Sequence, residues 1–438
     1  VGNRRFITHQ LRLALAGAAS ITLCIAGHPS RSAESHHGTL RLSFDEALRR
    51  AQREAPAALI AEAEVGEAAA TRVGAGLRLP SNPRLNLDGR MGLVGGEGGA
   101  LGFASSLEAP FEVSGAPGAR LREAERRVEA ARAQGDVVRL DARVDAASAY
   151  VGAQLAGLRI EQARQGLALA ERLLSAAAER GRAGAGTDIE ITSAEVERAE
   201  RRAELHAGEA ERLRHETELR RLLGVEPDAV LELTSAVVEP QALPALPALL
   251  AAARGHFPAF LASDARLHVF EAEDARLAAE AWPKVGAVAG IDASPASPKF
   301  GLLGMSIELP FFQRNQRPRA IARAQRRTET VRRAALERQV RLALSGAVAV
   351  HAVRLSELEA LRAQGLPAAS RRVALVEQGW RAGRFDVFRV TAAAQDLVRL
   401  QAKHAEVLGR IWQARLLIEQ LTGGLQHVHD RGSAQPER

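Results

Sequence analysis

The sequence carries one plan twice, and that duplication limits the fold more than any other feature. The stretch around Pro56 (EAPAALIAEAEV) returns around Pro258 (HFPAFLASDARL), 202 residues on. Leu107-Glu108-Ala109-Pro110-Phe111 returns as Ile307-Glu308-Leu309-Pro310-Phe311 at an offset of 200, RAGAGTDIE with Asp188 returns as RAGRFDVF with Asp386 at 198, and Leu222-Leu223-Gly224 returns as Leu421-Thr422-Gly423 at 199. Anchors that drift so little over the whole chain mark an internal repeat of long period. The halves span 41–232 and 245–424, joined by a proline-bearing connector over 233–244, with a polar tail over 425–438 expected to be disordered.

Within each half the pattern reads helix, strand pair, very long helix, tight turn, long helix. From Gly118 to Arg180 there is no proline, and Leu121, Ala124, Val128, Ala131, Gly135, Val138 and Ala142 keep the three–four spacing of a coiled-coil seam. A helix over 118–180 would be about 95 Å long, more than an ordinary globular domain needs. The second half repeats it over 319–379, with Ile321, Ala324, Thr328, Val331 and Ala335 as seam, and the return helices are expected at 189–222 and 387–421. Composition agrees: the chain is 46% hydrophobic but only 4% aromatic, so its apolar content is largely alanine and leucine, which suits helices and not a compact all-β enzyme.

Four short segments alternate with period two instead. Over 85–93, Leu85, Leu87, Met91 and Leu93 alternate with Asn86, Asp88 and Arg90; over 101–109, Leu101, Phe103, Leu107 and Ala109 oppose Gly102, Ala104, Ser106 and Glu108. The later pair is 285–291, with Val285, Ala287, Ala289 and Ile291 in phase, and 300–309, where Leu303, Met305, Ile307 and Leu309 oppose Leu302, Ser306 and Glu308. Each approaches the length of a tilted membrane-spanning strand. Phe111, Trp282, Phe300, Phe311 and Phe312 sit at strand ends, where an interfacial girdle requires them. The same alternation also fits a solvated sheet packed on helices. Four strands cannot close a membrane barrel, because an open edge in lipid leaves backbone groups unsatisfied. Two chains would supply eight strands and three would supply twelve; a conduit favours three, since eight leave little room for a lumen.

At the N-terminus Arg4, Arg5 and Arg12 precede an apolar run from Leu13 to Gly27, which reads as an export signal over 1–32, cleaved after Ser32 or Ala26. Cys24, the single cysteine, excludes an internal disulfide framework and any multi-cysteine metal site; its lipidation is the weaker reading because Leu23 precedes it. The balance of 59 basic to 52 acidic residues contains only three lysines, Lys284, Lys299 and Lys403, and no basic block interleaved with aromatics, which argues against nucleic-acid binding. We find no nucleophile–base set, no HExxH and no phosphate-binding glycine loop, so neither enzyme chemistry nor a cofactor is expected. His36-His37 and His427-x-His429-Asp430 lie in terminal segments with poor ligand geometry, and no metal site is assigned to them.

The duplicated halves, the strand pairs flanked by long helices, LPSNPRLNLDG before the first hairpin, SLEAPFEVSGAPGARL after it, SIELPFFQRNQRPRA after the second, and the RAG…D turns resemble the TolC-like outer membrane efflux family over 41–424. More narrowly they are similar to its heavy-metal branch, typified by the outer components of cobalt–zinc–cadmium resistance pumps. Ser114-Gly115-Ala116-Pro117 departs from that branch, which commonly has glycine-glycine-lysine there. The resemblance implies a mainly α fold with a small β part. It implies a homotrimeric α-barrel built of the duplicated hairpins, capped by a 12-stranded β-barrel in the outer membrane lipid of a Gram-negative cell. It also implies a periplasmic adaptor as partner, a proton-driven inner-membrane pump of the RND type beyond it, and passive conduction of heavy-metal cations. An organic-compound pump served by the same tunnel is the alternative, and a periplasmic coiled-coil scaffold a more distant one.

The helix turns are the candidate site. Arg182, Gly184, Gly186, Thr187 and Asp188 match Arg381, Gly383, Arg384, Phe385 and Asp386. Glycine permits the positive φ that ends one helix, and the aspartates are expected to cap the next. The family implies that these tips dock the adaptor and that Asp188 and Asp386 line the periplasmic aperture as a gate. His206 and His404, each 18 residues beyond its tip aspartate, are expected at one height, about 27 Å along the helix, and either form a lumen ring or pack in helix seams.

Overall fold

The computed structural model describes residues 39–79, 81–92, 100–184, 186–235, 242–293 and 299–424. The export signal expected over 1–32, the tail over 425–438 and the hairpin loops at 93–99 and 294–298 lie outside the described residues.

Each repeat opens with two short helices rather than one: α1 (Phe44–Glu54) and α2 (Pro56–Ala70) in the first, α5 (Leu246–His256) and α6 (Pro258–Ala279) in the second. The break falls in both copies just before the repeated proline, which takes the first helical position of α2 and of α6 because its missing N–H is no loss there. Ahead of α1, β1 (Leu40–Leu42) pairs in parallel with β4 (Leu231–Leu233). Tyr150 locks this clasp: its buried hydroxyl donates to the Leu42 carbonyl at 3.0 Å and accepts from the Ser235 N–H at 3.2 Å. Leu42, Ala47, Leu219 and Leu223 pack around the ring. This clasp was not legible in the periodicity, because strands of three residues are too short to show any.

The long helices are α3 (Ala116–Arg182), α4 (Asp188–Leu223), α7 (Gln316–Ala360), α8 (Leu366–Arg381) and α9 (Val387–Thr422). The rod expected over 319–379 is interrupted: Leu361–Gly365 forms a π-helical turn in which the Leu366 N–H donates to the Leu361 carbonyl, five residues back. Pro367 supplies the cause. It has no N–H for the carbonyl four residues earlier and its ring crowds that carbonyl, so the helix widens by one turn. In lateral order the wall of the chain runs α4, α3, α9, then α7 and α8, with α4 leaning mainly on α3 and α8 on α9. Leu155 and Val151 of α3 meet Val407, Leu408 and Ile411 of α9 in a buried cluster that ties the two repeats together.

The strands β2 (Arg84–Gly92), β3 (Ala100–Phe111), β5 (Lys284–Ala293) and β6 (Phe300–Glu308) form one antiparallel sheet in the order β2-β3-β5-β6. The central pairing, β3 with β5, joins the two repeats. Where sheet meets helix, Arg120 grips Glu112 with two guanidinium nitrogens at 2.6 and 3.0 Å and donates also to the carbonyls of Ala75 and Leu77. This clamp fixes how the chain leaves β3 and enters α3. Among the described residues no helix is long and apolar enough to cross a membrane.

Candidate functional site

The register of the sheet sorts its side chains by chemistry. One row runs Leu85, Leu107, Ala289, Leu303 across all four strands; the next runs Asn86, Ser106, Gly290, Leu302. Following the alternation, the described charged residues of the sheet, Arg84, Asp88, Glu108, Lys284, Asp292 and Glu308, all fall on the face of the second row. The opposite face holds Leu87, Phe103, Ile291, Met305 and Ile307, with no charge. Leu303 is 89% exposed and Met305 75%, so this apolar face is left uncovered by the described residues. A sheet solvated on both sides would gain nothing from such a separation, whereas one facing lipid on one side and water on the other requires it.

The charged face is built with room. Ser306 Oγ donates to Glu108 Oε1 at 2.8 Å across Gly286, where a Cβ would stand only 2.4 Å from that hydroxyl. Arg84 approaches Glu108 to 3.9 Å. Together with Lys284 and Glu308 they line a cavity of about 270 Å³ where the sheet meets the helices.

Of the five end-of-strand aromatics, Phe111, Trp282, Phe311 and Phe312 gather at the helix end of the sheet and are all exposed, Phe312 by 89%. Phe300 sits at the other end, across from Asp292 on the charged face. It therefore does not share the apolar face, and it corrects the expectation of a uniform outward girdle: position 300 has the parity of Leu302, not of Leu303.

The second candidate is the pair of helix turns, which lie side by side: Leu173 of α3 packs with Trp380, Val387 and Val390 of the second hairpin. Gly184 (φ 70°) and Gly383 (φ 72°) make the left-handed residues that end α3 and α8. The caps follow a register of their own. Thr187 accepts from the Glu190 N–H at 3.3 Å and Asp386 from the Arg389 N–H at 2.9 Å. So Thr187, not Asp188, is the mate of Asp386, and the offset here is 199. Asp188 is the first residue of α4. Asp188 and Asp386 are thus not equivalent positions, which corrects the matched capping expected of them.

The same offset separates the histidines. α4 and α9 are each 36 residues long and end on left-handed Gly224 and Gly423, again 199 apart. His206 and His404, at 198, are one residue out of step, about 100° around the helix. His206 is exposed, with Nδ1 3.1 Å from Glu209 Oε2. His404 is half-buried, its Nε2 accepting from Arg362 Nε at 3.2 Å, and burial together with that guanidinium pushes its pKa down. A single ring of six equivalent imidazoles is not what the fold builds.

Arg182, Arg381 and Arg384 are exposed at the tips, and Gly186 closes on the Arg180–Gly181 backbone. Phe385 turns inward: its ring lies over Gly379, where a Cβ would come within 2.3 Å, and Arg389 stacks on it at 5.1 Å. The apolar side chains that the tips do present are Ile189 and Phe388, 68% and 47% exposed, which the sequence pattern did not single out. The 199-residue register was the available signal, since it makes them mates.

A family model for outer membrane efflux proteins matches residues 47–225. The cobalt-zinc-cadmium resistance protein CzcC of Cupriavidus metallidurans is 27% identical over 324 residues, 73% of this chain and 76% of that protein. A second relative, the nickel-cobalt-cadmium resistance protein NccC of Alcaligenes xylosoxydans xylosoxydans, is 28% identical over 52% of each chain. Among solved structures, CusC superposes with a TM-score of 0.71 at 17% identity, covering 87% of this chain and 92% of that one. VceC of Vibrio cholerae gives 0.70 at 17%, covering 87% and 96%. The chain thus has the TolC-like fold, mainly helical with a small sheet.

Proposed function

We propose that three copies of this chain assemble into a closed tunnel, a 12-stranded barrel in the outer membrane continued by a helical barrel in the periplasm. The tunnel conducts heavy-metal cations passively from a proton-driven RND-type pump and its adaptor to the exterior. One observation carries the reading: among the described residues, a four-stranded sheet has one uncharged face, one face holding all its charges, and two outer edges, β2 and β6, without partner strands. An apolar sheet face in lipid tolerates no open edge, so β2 of one copy must pair with β6 of another until the ring closes. The mixed-sign charged face then lines water, which suits a pore that conducts ions without holding them. Among the described residues no group of three or more His, Cys, Asp or Glu is arranged to hold a metal ion. The names of the two curated relatives support metals as cargo. The tips, with exposed Arg182, Arg381, Arg384, Ile189 and Phe388, are the surface offered to the adaptor.

The test has two arms. Purified protein in detergent should have the mass of a trimer and should give ion-conducting steps in a planar bilayer; a water-soluble monomer would end the tunnel reading and favour the periplasmic scaffold. Deletion of the gene should lower tolerance to cobalt, zinc or cadmium salts. Loss of tolerance to organic toxins with metal tolerance intact would transfer the tunnel to an organic-compound pump.

A further inference from the structure

The strip between the sheet and the second helical turn beneath it is charged in one sense. Residues 75–84, 109–124, 276–284 and 308–320 hold nine arginines and lysines against four glutamates. Hydrogen bonds set these segments side by side: the Glu112 N–H donates to the Arg78 carbonyl at 2.9 Å, and Asn315 Nδ2 to the Leu277 carbonyl at 2.9 Å. All four carboxylates are engaged. Glu112 is held by Arg120, Glu123 by Arg127 and Arg276, and Glu280 by Arg276, while Glu308 lies on the charged face of the sheet opposite Lys284. Arg84 shares that face, and Arg319 pairs with Asp274 at 2.9 Å. Four bases are left, Arg78, Arg122, Arg314 and Arg317, each exposed and in no ion pair among the described residues. They are not repeat mates: 200 residues away from them stand Ala278, Ala322, Ser114 and Pro117, so duplication alone did not bring them to one height.

Apolar side chains share the strip with them. Phe111 and Leu309 carry the uncharged face of the sheet down into it, and Leu77, Val113, Trp282 and Phe312 are exposed within it. Arg314 is held against the Phe311–Phe312 turn by donating from Nε to the Pro310 carbonyl at 3.0 Å. Exposed aromatics at the foot of a lipid-facing sheet stand where headgroups meet water. A guanidinium placed there offers a phosphate two parallel hydrogen bonds, and its charge is drawn to a surface of net negative lipid. We propose that Arg78, Arg122, Arg314 and Arg317 form a collar that binds the phosphate groups of anionic phospholipids, selecting them over zwitterionic lipids in the leaflet on the helical side of the sheet. A lipid that meets one of these arginines is favoured roughly fivefold. An acidic protein segment would match the charges but not the aromatics or the apolar face that runs into them. The collar rests on the outer-membrane reading and adds which lipid the chain selects and where.

Trp282 reports on the collar, because it lies exposed in the strip whereas Trp380 and Trp412 are buried on α8 and α9. The full chain is reconstituted in vesicles of phosphatidylcholine and phosphatidylglycerol in which one lipid or the other carries brominated acyl chains. Quenching of tryptophan fluorescence, with Trp282→Phe as the blank, gives the relative affinity of the two lipids at that residue. Phosphatidylglycerol should be preferred at least about threefold in dilute salt, and the preference should fall toward one as added salt brings the Debye length to about 3 Å. Arg78→Gln, Arg314→Gln and Arg317→Gln together should abolish it, while Arg164→Gln, Arg172→Gln and Arg202→Gln, exposed on the long helices, should leave it intact. Equal affinity for both lipids in the parent, or equal loss of preference in the two triple variants, overturns the collar while the membrane embedding stands. If neither lipid quenches Trp282, the outer-membrane reading fails and takes the collar with it.

Discussion

Replacing Leu303 by arginine separates a lipid-facing sheet from a solvated one. Leu303 is the fourth of nine residues in β6 and so lies close to mid-strand; its row across the sheet is Leu85, Leu107, Ala289. If that row faces the middle of a bilayer, Leu303→Arg costs about 2–4 kcal/mol per chain. Taking ~3 kcal/mol, the ratio of folded to unfolded protein at equilibrium falls roughly 150-fold. Leu302→Arg, one residue away, points into the row of Asn86, Ser106 and Gly290 and should cost less than ~1 kcal/mol. In water the order would vanish: a side chain 89% exposed tolerates substitution within about 0.5 kcal/mol. The assay is urea unfolding from lipid vesicles, read by tryptophan fluorescence, with heat-modifiable trimer on gels as a second measure. Equal stability of the two variants, each within about 0.5 kcal/mol of the parent, refutes the assignment of faces.

Asp386→Ala removes a cap from α9 and should cost about 1 kcal/mol, as should Thr187→Ala at α4, while Asp188→Ala, which removes no cap, should cost clearly less by thermal unfolding. Gly423→Ala should be among the most damaging small changes: φ is 75° and the added methyl would stand 2.3 Å from the His256 carbonyl, so a loss of about 2 kcal/mol or more is expected in Tm measurements. Burial holds the imidazoles of His215, His351 and His404 below their usual pKa, aided in turn by Arg214, Arg415 and Arg362. The unfolded chain then takes up those protons first. Stability from these groups is full above the ordinary histidine pKa of about 6.5 and is lost as pH falls through it toward the lower folded values. Tm recorded from pH 7.5 down to 5.5 should therefore decline, and His351→Leu should flatten part of the slope; an unchanged slope would contradict the burial of that ring.

Much of this protein was written locally. Period two in 285–291 and 300–309, three–four spacing after Gly118, and prolines and glycines at the breaks all act through neighbours a few residues apart, so the elements, their duplication and the two-faced strands could be read directly. The interruption at 361–365 was equally local, and only the weight of Pro367 was missed. What the tertiary structure decided concerns partners far apart in the chain. The β3–β5 pairing across the repeats, the clasp of Leu40–Leu42 on Leu231–Leu233, the inward turn of Phe385 and the placing of Phe300 beside Asp292 each depend on which distant surface is available to bury or to pair. The histidine pair shows the limit most sharply. An offset of 198 or 199 reads alike in a sequence, but on a helix one residue is about 100° of rotation, and only the capping hydrogen bonds of Thr187 and Asp386 fix which of the two the fold uses.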